Sequence, residues 1–391
     1  MTNLENVLGG LRNFDFSGKS KKASYYTFIS QLLEHIHGKI PAERYDTHKV
    51  AAPTDIREEI FKGVNYKRAV MFLLSNGCEW ALKDGHGCTM CGHLAKQTRT
   101  AETVTTTEYL QQFNEEFDKI DFKEFPLLNL YNNGSFFNDK EIAPEARIEI
   151  LKRIGREKDV KMVVLETRPE FVTESNIKEV KKILPGKHVE IAIGLEIKDD
   201  LYRTVCINKG FTLRQYDQAA EIIVGNLHLR TYVLLKPPFL TEKESIDFAV
   251  EVIEYAFDRG SRTVSLEACT VQAFTLVDYL YESGLYNPPY LWSIIEVIKR
   301  VNVPVSQKLV VGLFQFYPSP SKTPFNCERC SEKFLDAMRS YNRTLDKRFF
   351  ADLSCQCKEK WQETIEADAP SFEKRLETAA EKLNAAISKK K

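Results

Sequence analysis

The residues of this chain that could do chemistry are cysteines, and seven of its nine fall into two groups. Cys78, Cys88 and Cys91 are spaced C-x9-C-x2-C within the stretch SNGCEWALKDGHGCTMCGH. Thiolates bind soft metals and iron–sulfur clusters, and a structural zinc or a ferredoxin-type cluster takes four protein ligands. Three thiolates leave one iron of a cluster open to a ligand that the protein does not supply. The alternatives are three buried free thiols or an incomplete zinc knuckle. The second group, NCERC followed by SCQCKEKW, holds Cys327, Cys330, Cys355 and Cys357 at the spacing C-x2-C-x24-C-x-C. Two close pairs fit a tetrahedral structural zinc, and a second iron–sulfur cluster is the other reading. Four thiolates leave no open position, so that site is expected to hold a module together rather than to react.

The elements that must position these groups come next. The run Ala69-Val70-Met71-Phe72-Leu73-Leu74 before Cys78 has the length and the lack of helical period of a buried strand. Glycines 77, 85, 87 and 92 let the following loop fold back with its thiolates converging. Strands are expected at 69–74, 126–131, 161–165, 188–195, 228–235 and 262–268. Helices are expected near 107–120, 144–157, 173–184, 212–225, 242–259 and 290–301. Six strands each followed by a helix imply a parallel sheet with right-handed crossovers. The expected fold class is therefore α/β, a partial (β/α)6 barrel whose active site lies at the carboxyl ends of the strands. Residues 1–62, with a helical stretch at Tyr25 to Ile36, form an expected N-terminal helical extension. Residues 63–305 form the core, and 306–391 a small C-terminal four-cysteine metal-binding module. Within it an apolar run from Lys308 to Tyr317 precedes Pro318, Pro320 and Pro324, which end regular structure.

Bulk numbers exclude several classes. With 43% hydrophobic and 28% charged residues, the composition is that of an ordinary globular protein. Lysine plus arginine equals aspartate plus glutamate at 55 each, so no global field draws the chain to nucleic acid. Any RNA contact needs a local basic patch or a partner. No apolar run is long enough to cross a bilayer, and the start MTNLENVLGG lacks the apolar core of a signal peptide. Nine cysteines without an export signal point to reduced thiols, metal ligation and the cytosol.

A three-cysteine loop after the first strand of a βα array resembles the radical S-adenosylmethionine (SAM) superfamily. The long C-x9-C-x2-C spacing is similar to its Elongator-catalytic-subunit branch. The wording GCTMCGH, the block ETRP and the two C-terminal cysteine pairs resemble the radical-SAM subunits of archaeosine synthases, which modify tRNA. The resemblance implies a [4Fe–4S] cluster on Cys78, Cys88 and Cys91, with SAM on its open iron and a 5′-deoxyadenosyl radical as the reactive species. It implies that Asn132, Asn133, Gly134 and Ser135 stand in for the glycine-rich segment that receives the SAM ammonium. An asparagine–glycine turn is the plain alternative. Glu166, in VVLETRPEF, and Glu196 would meet the SAM ammonium or ribose, and Lys209 the SAM carboxylate. Lysine keeps the charge of the family's usual arginine but loses its bidentate fork. Arg168 beside Pro169 reads as structural, and Cys206 as a small core residue. Lys236 ends the fifth strand, where it could bind SAM or an RNA phosphate or cap a loop. Glu267 and Cys269 end the sixth and are candidates for substrate contact.

The reaction this implies is C–N cleavage of a lysine-bearing 7-deazaguanine in the tRNA D-arm, giving archaeosine. It requires a tRNA substrate, a partner subunit that attaches the lysine, and an external electron donor. Two other readings remain open at this point: radical chemistry on another RNA base or a small molecule, and a non-catalytic RNA-binding scaffold with two structural metals.

Overall fold

The computed structural model describes residues 29–30, 32–41, 45–82, 86–93 and 103–389. Eight strands form one curled sheet in chain order. They are β1 (Ala52–Phe61), β2 (Val64–Phe72), β3 (Leu127–Tyr131), β4 (Met162–Glu166), β5 (His188–Glu196), β6 (His228–Leu235), β7 (Ser261–Ala268) and β8 (Lys308–Val311). β2 to β7 pair in parallel, as the six-unit array requires, β8 adds a seventh parallel strand beside β7, and β1 joins antiparallel to β2. The helices between them are α1 (Thr106–Phe117), α2 (Pro144–Arg156), α3 (Glu174–Ile183), α4 (Leu213–Val224), α5 (Glu242–Asp258), α6 (Leu276–Glu282) and α7 (Leu291–Arg300). Capping boxes at Thr105/Glu108, Thr212/Gln215 and Thr241/Glu244 start α1, α4 and α5 where the sequence changes period. Beyond β8 come α8 (Ser331–Thr344), α9 (Cys357–Glu366) and α10 (Phe372–Lys389). Among the described residues no helix is long and apolar enough to cross a membrane.

β1 differs from the sequence expectation, which gave these residues to a helical extension. Its run APTDIREEIF carries charges that look solvated, yet Glu59 is only 3% exposed because it faces into the barrel. The turn Lys62–Gly63, with φ of +51° and +78°, is the two-residue mirror-image turn that matches strand twist and closes a hairpin. Of the helix expected at Tyr25 to Ile36, residues 29–30 and 32–36 are helical and the remainder lies outside the described residues, as does Gly85.

The barrel is open between its edge strands β1 and β8, and side chains bridge that seam. Lys308 Nζ donates to Glu59 Oε1 at 2.7 Å and to the Ile60 carbonyl at 2.9 Å. α8 packs over the same edge. Its Asn342 accepts from the Val311 N–H at 2.9 Å and donates to the Val311 carbonyl at 2.7 Å, covering ladder groups that an edge strand would leave bare. Inside the barrel Arg230 on β6 pairs with Glu59 on β1 and with Glu190 on β5, and Arg68 on β2 reaches Glu59 at 2.5 Å.

The main apolar core lies between the sheet and its helices. A second core lies beside the cysteine loop. It joins Ile29, Leu32, Leu33 and Ile36 with α6, α10 and the segment Val205 to Ile207, with Cys88 and Met90 packed against it.

Candidate active site

Two sutures hold the first cysteine loop. On one side the Glu141 carboxylate accepts from the Glu79 N–H at 2.9 Å and from the Ser135 N–H. Asn138 Nδ2 spans from Glu79 Oε2 at 2.7 Å to Glu141 Oε1 at 3.0 Å. On the other side Thr89 bonds the Ile207 and Cys206 carbonyls at 3.0 and 2.6 Å. Asn208 Nδ2 donates to the Gly87 carbonyl and Trp80 Nε1 to the Asn208 carbonyl, each at 2.7 Å. The loop after β5 can receive these bonds because Arg203, 1% exposed, donates to the carbonyls of Ile197, Lys198 and Phe211.

The result is one cavity of about 120 Å³ at the carboxyl ends of the strands. Cys78, Cys88 and Cys91 line it together with Asn133, Gly134, Glu166 and Lys209. Burial pushes the Cys78 thiol up to about 12 and raises those of Cys88 and Cys91 as well. Such thiols stay protonated until a metal displaces their protons.

Glu196 lies beside Lys209, accepting from its Nζ at 2.7 Å. Burial alone would depress the Lys209 ammonium, but the Glu196 carboxylate overrides it and holds the group above the ordinary lysine range. Gly194 lets this pair form, since a Cβ there would run into both Glu196 and Lys209. Gly134 is confined in the same way between Glu141 and the Cys78 backbone. Asn132 and Ser135 do not line the cavity. The Asn132 carbonyl accepts from Ser75 Oγ at 2.8 Å, and Ser135 is bonded to Glu141 and to the Arg168 N–H, so both fix the turn from behind.

Sequence reasoning missed two residues here. Glu141 carries no motif, and only the fold shows that it ties two loops together. Arg168, read as structural, stands on the cavity wall between Trp80 and Phe211, its guanidinium carbon 5.2 and 5.6 Å from their ring centres. Nε pairs with Glu170 at 2.6 Å, while Nη2 is buried with no partner among the described residues. The Asn133 side-chain amide is likewise unpartnered. Lys209 spends one of its three N–H donors on Glu196, and Arg168 Nη2 adds a second cationic donor on the cavity wall. Burial, together with the Glu196, Glu267 and Glu141 carboxylates and against the pull of Lys209, pushes Glu166 up to about 7. The cavity thus offers three thiols, a bare guanidinium nitrogen, a bare amide and a carboxyl poised near neutrality, a donor set that fits an iron–sulfur cluster with a zwitterionic amino acid upon it.

Of the remaining candidates, Lys236 forms a 2.5 Å ion pair with buried Glu242 and caps its loop. Cys206 is core, and Cys269 and Glu267 line a neighbouring pocket. The C-terminal cysteines converge as well. Cys327 lies 3.4 Å from Cys330 and 3.6 Å from Cys355 (Sγ to Sγ), and Cys330 lies 3.5 Å from Cys357. All four thiols fall within 4.8 Å of one another, the only such cysteine group among the described residues. Thiolates that share one ion sit this close, and thiolates on separate corners of a cubane stand further apart.

Three comparisons bear on this arrangement. A relative named archaeosine synthase subunit beta, from Methanosarcina acetivorans, is 34% identical over 87% of this chain and 96% of its own length. The chain belongs to the archaeosine synthase subunit beta family. The resemblance to archaeosine synthase subunits carried by GCTMCGH, ETRP and the C-terminal cysteine pairs accords with that membership. A second relative of the same name, from Thermococcus kodakarensis, is 31% identical over 74% of this chain and 89% of its own length. No family model matches. Among solved structures, an Elp3 protein of the archaeon Methanocaldococcus infernus is 16% identical. It covers 60% of this chain and 59% of its own, with a TM-score of 0.44.

Proposed function

We propose that this member of the archaeosine synthase subunit beta family is the radical-SAM C–N lyase that converts a lysine-bearing 7-deazaguanine in the tRNA D-arm to archaeosine. The observation that carries the reading is the convergence of Cys78, Cys88 and Cys91 on one cavity with Glu166, Arg168 and Asn133. When bound there, a [4Fe–4S] cluster with SAM supplies a 5′-deoxyadenosyl radical, chemistry that belongs to the cofactor. The chain's own groups orient it. The three thiolates would hold three irons, and the free Nη2 of Arg168 suits the SAM carboxylate. Glu166 and Asn133 are the groups for its ammonium and ribose. The names of the relatives support a partner subunit and a tRNA substrate, and an external reductant must supply the electron.

The four-cysteine site is read as a single zinc ion. Sulfur separations of 3.4 to 3.6 Å are near the edge of about 3.8 Å expected for a tetrahedron with Zn–S of about 2.3 Å.

The test is anaerobic. Reconstituted protein with dithionite, SAM and tRNA carrying the lysine-bearing 7-deazaguanine should yield 5′-deoxyadenosine and archaeosine, and Cys88→Ala should yield neither. Formation of 5′-deoxyadenosine with no change in the tRNA nucleosides would overturn the lyase reading and leave the radical one standing.

A further inference from the structure

A second pocket, of about 230 Å³, abuts the first, and the two share the wall made by Cys91, His93, Asn133 and Glu166. A substrate seated in it would meet whatever the first pocket holds across that wall. Its character differs from the cofactor cavity in two respects. Five aromatic rings line it: Phe72, Tyr131, Tyr232, Phe316 and Tyr317. Tyr131 and Tyr232 are fixed to each other by a 2.8 Å hydroxyl contact. Rings so held are suited to stack a planar base that has been swung out of a nucleic acid.

The second respect is charge. The acidic groups lining this pocket are Glu166, Glu196 and Glu267, and the lining cation is Arg57. Lys209 neutralises Glu196, and Arg57 is tied to Asp55 at 2.8 Å and to the Gln315 carbonyl at 2.5 Å. Glu166 faces both pockets and is claimed by the cofactor in the reading above. Glu267 is left. Its Oε1 accepts from Ser265 Oγ at 2.7 Å, and Oε2 has no donor among the described residues. Gly312 keeps the space beside it open, because a Cβ at that position would run into the carboxylate. Burial raises its pKa against the pull of the Ser265 hydroxyl and of Arg57 and Arg68, and neither arginine forms an ion pair with it among the described residues. It stands where the pocket meets the groove of the β1–β8 seam, which also touches Arg57, Gln315 and Phe316.

We infer that this pocket is the substrate site, taking a planar heteroaromatic base that bears an aliphatic ammonium, with Glu267 as the specificity residue that pairs with the ammonium. The inference rests on the proposed lyase function and names how its substrate is read. A half-buried carboxylate that forms no ion pair within the protein is completed by a cation on the ligand, and the same ligand without its charge leaves that carboxylate unpaired.

The experiment compares two substrates within each protein, so that a general loss of activity cancels. tRNA carrying the lysine-bearing base is offered with the lysine amine that is not joined to the base free or acetylated, and kcat/KM is taken for each. The natural chain should prefer the free amine by at least tenfold. Glu267→Gln should reduce that preference to within about twofold, chiefly through KM for the free amine. Should Glu267→Gln fail to fold, Ser265→Ala, which frees the carboxylate from its fixed orientation, should narrow the preference instead. Equal turnover of the two substrates by the natural chain overturns the inference whatever the variants do, as does a preference that these variants leave intact. Formation of 5′-deoxyadenosine by the natural chain with neither substrate converted overturns the lyase reading itself, and this inference with it.

Discussion

Replacing Arg230 by Met tests whether charges inside the barrel close its open seam. The guanidinium is fully buried and binds Glu190 through Nε at 2.6 Å and Glu59 through Nη2. Its two partners are not equally dependent on it. Glu59 keeps Arg68 at 2.5 Å and Lys308 at 2.7 Å, whereas Glu190 keeps only the His188 ring at 3.3 Å and the Thr263 hydroxyl at 2.9 Å. The substitution therefore strands Glu190, and stranding a buried charge costs about 3 to 5 kcal/mol. A double-mutant cycle read from urea denaturation midpoints locates that cost. Glu190→Gln should restore most of the loss in the Arg230→Met background, and Glu59→Gln should restore little. The pH dependence follows from the carboxyls. Burial would raise both, but the Arg230 and Lys308 charges outweigh it and hold both below the ordinary carboxylate range. In the natural chain this stability is present above the unfolded carboxyl value, near 4.5, and is lost as pH falls through the depressed folded values. Without Arg230 the Glu190 carboxyl rises instead, so the penalty should be smaller at pH 5 than at pH 8. A loss under about 1 kcal/mol, or equal rescue by the two glutamine substitutions, would refute the reasoning.

Three further outcomes are expected. Arg168→Lys keeps the charge but loses the planar fork, and should raise the Kd for SAM by about tenfold with the iron content of the protein preserved, as measured by equilibrium binding. Cys330→Ser should remove one metal ion per chain by elemental analysis and lower the melting temperature. It should also change tryptophan emission, since Trp292 Nε1 lies 3.4 Å from Cys357 Sγ. Gly194→Ala should break the Lys209–Glu196 pair and weaken SAM binding more than it lowers the melting temperature, because the clash is confined to those two side chains.

The six parallel strands were legible because a strand buried on both faces reads as a short apolar run, and MVVLE or HVEIAIGLE has no other plausible fate. β1 was not, since its inward face carries Glu59 and Arg57, whose partners lie as far away in sequence as Arg230, Lys308 and Gln315. The cysteine groups were legible from spacing alone. The size of the second site was not, because zinc and a cluster ask for the same residues and differ only in how far apart the sulfurs stand. Glu166 could be named from its place at a strand end. Arg168 in the same block was passed over because Pro169 suggested a rigid loop, and only the fold shows its side chain on the cavity wall. Glu141 lies nine residues past Asn132 in a stretch without pattern, and only the folded turn brings it to the backbone of Glu79.

The core beside the cysteine loop is assembled from Leu32, Leu33 and Ile36 near one end of the sequence and Leu376, Ala379 and Leu383 near the other. During synthesis the ribosome releases the first partner more than three hundred residues before the last. Until α10 emerges, the core that Cys88 and Met90 pack against lacks one of its sides. If that side shields the thiols, iron delivered to a nascent chain would meet a half-built pocket, and loading would follow the end of translation. Trimming α10 should then show itself first as oxygen-sensitive, iron-poor protein and only later as unfolding.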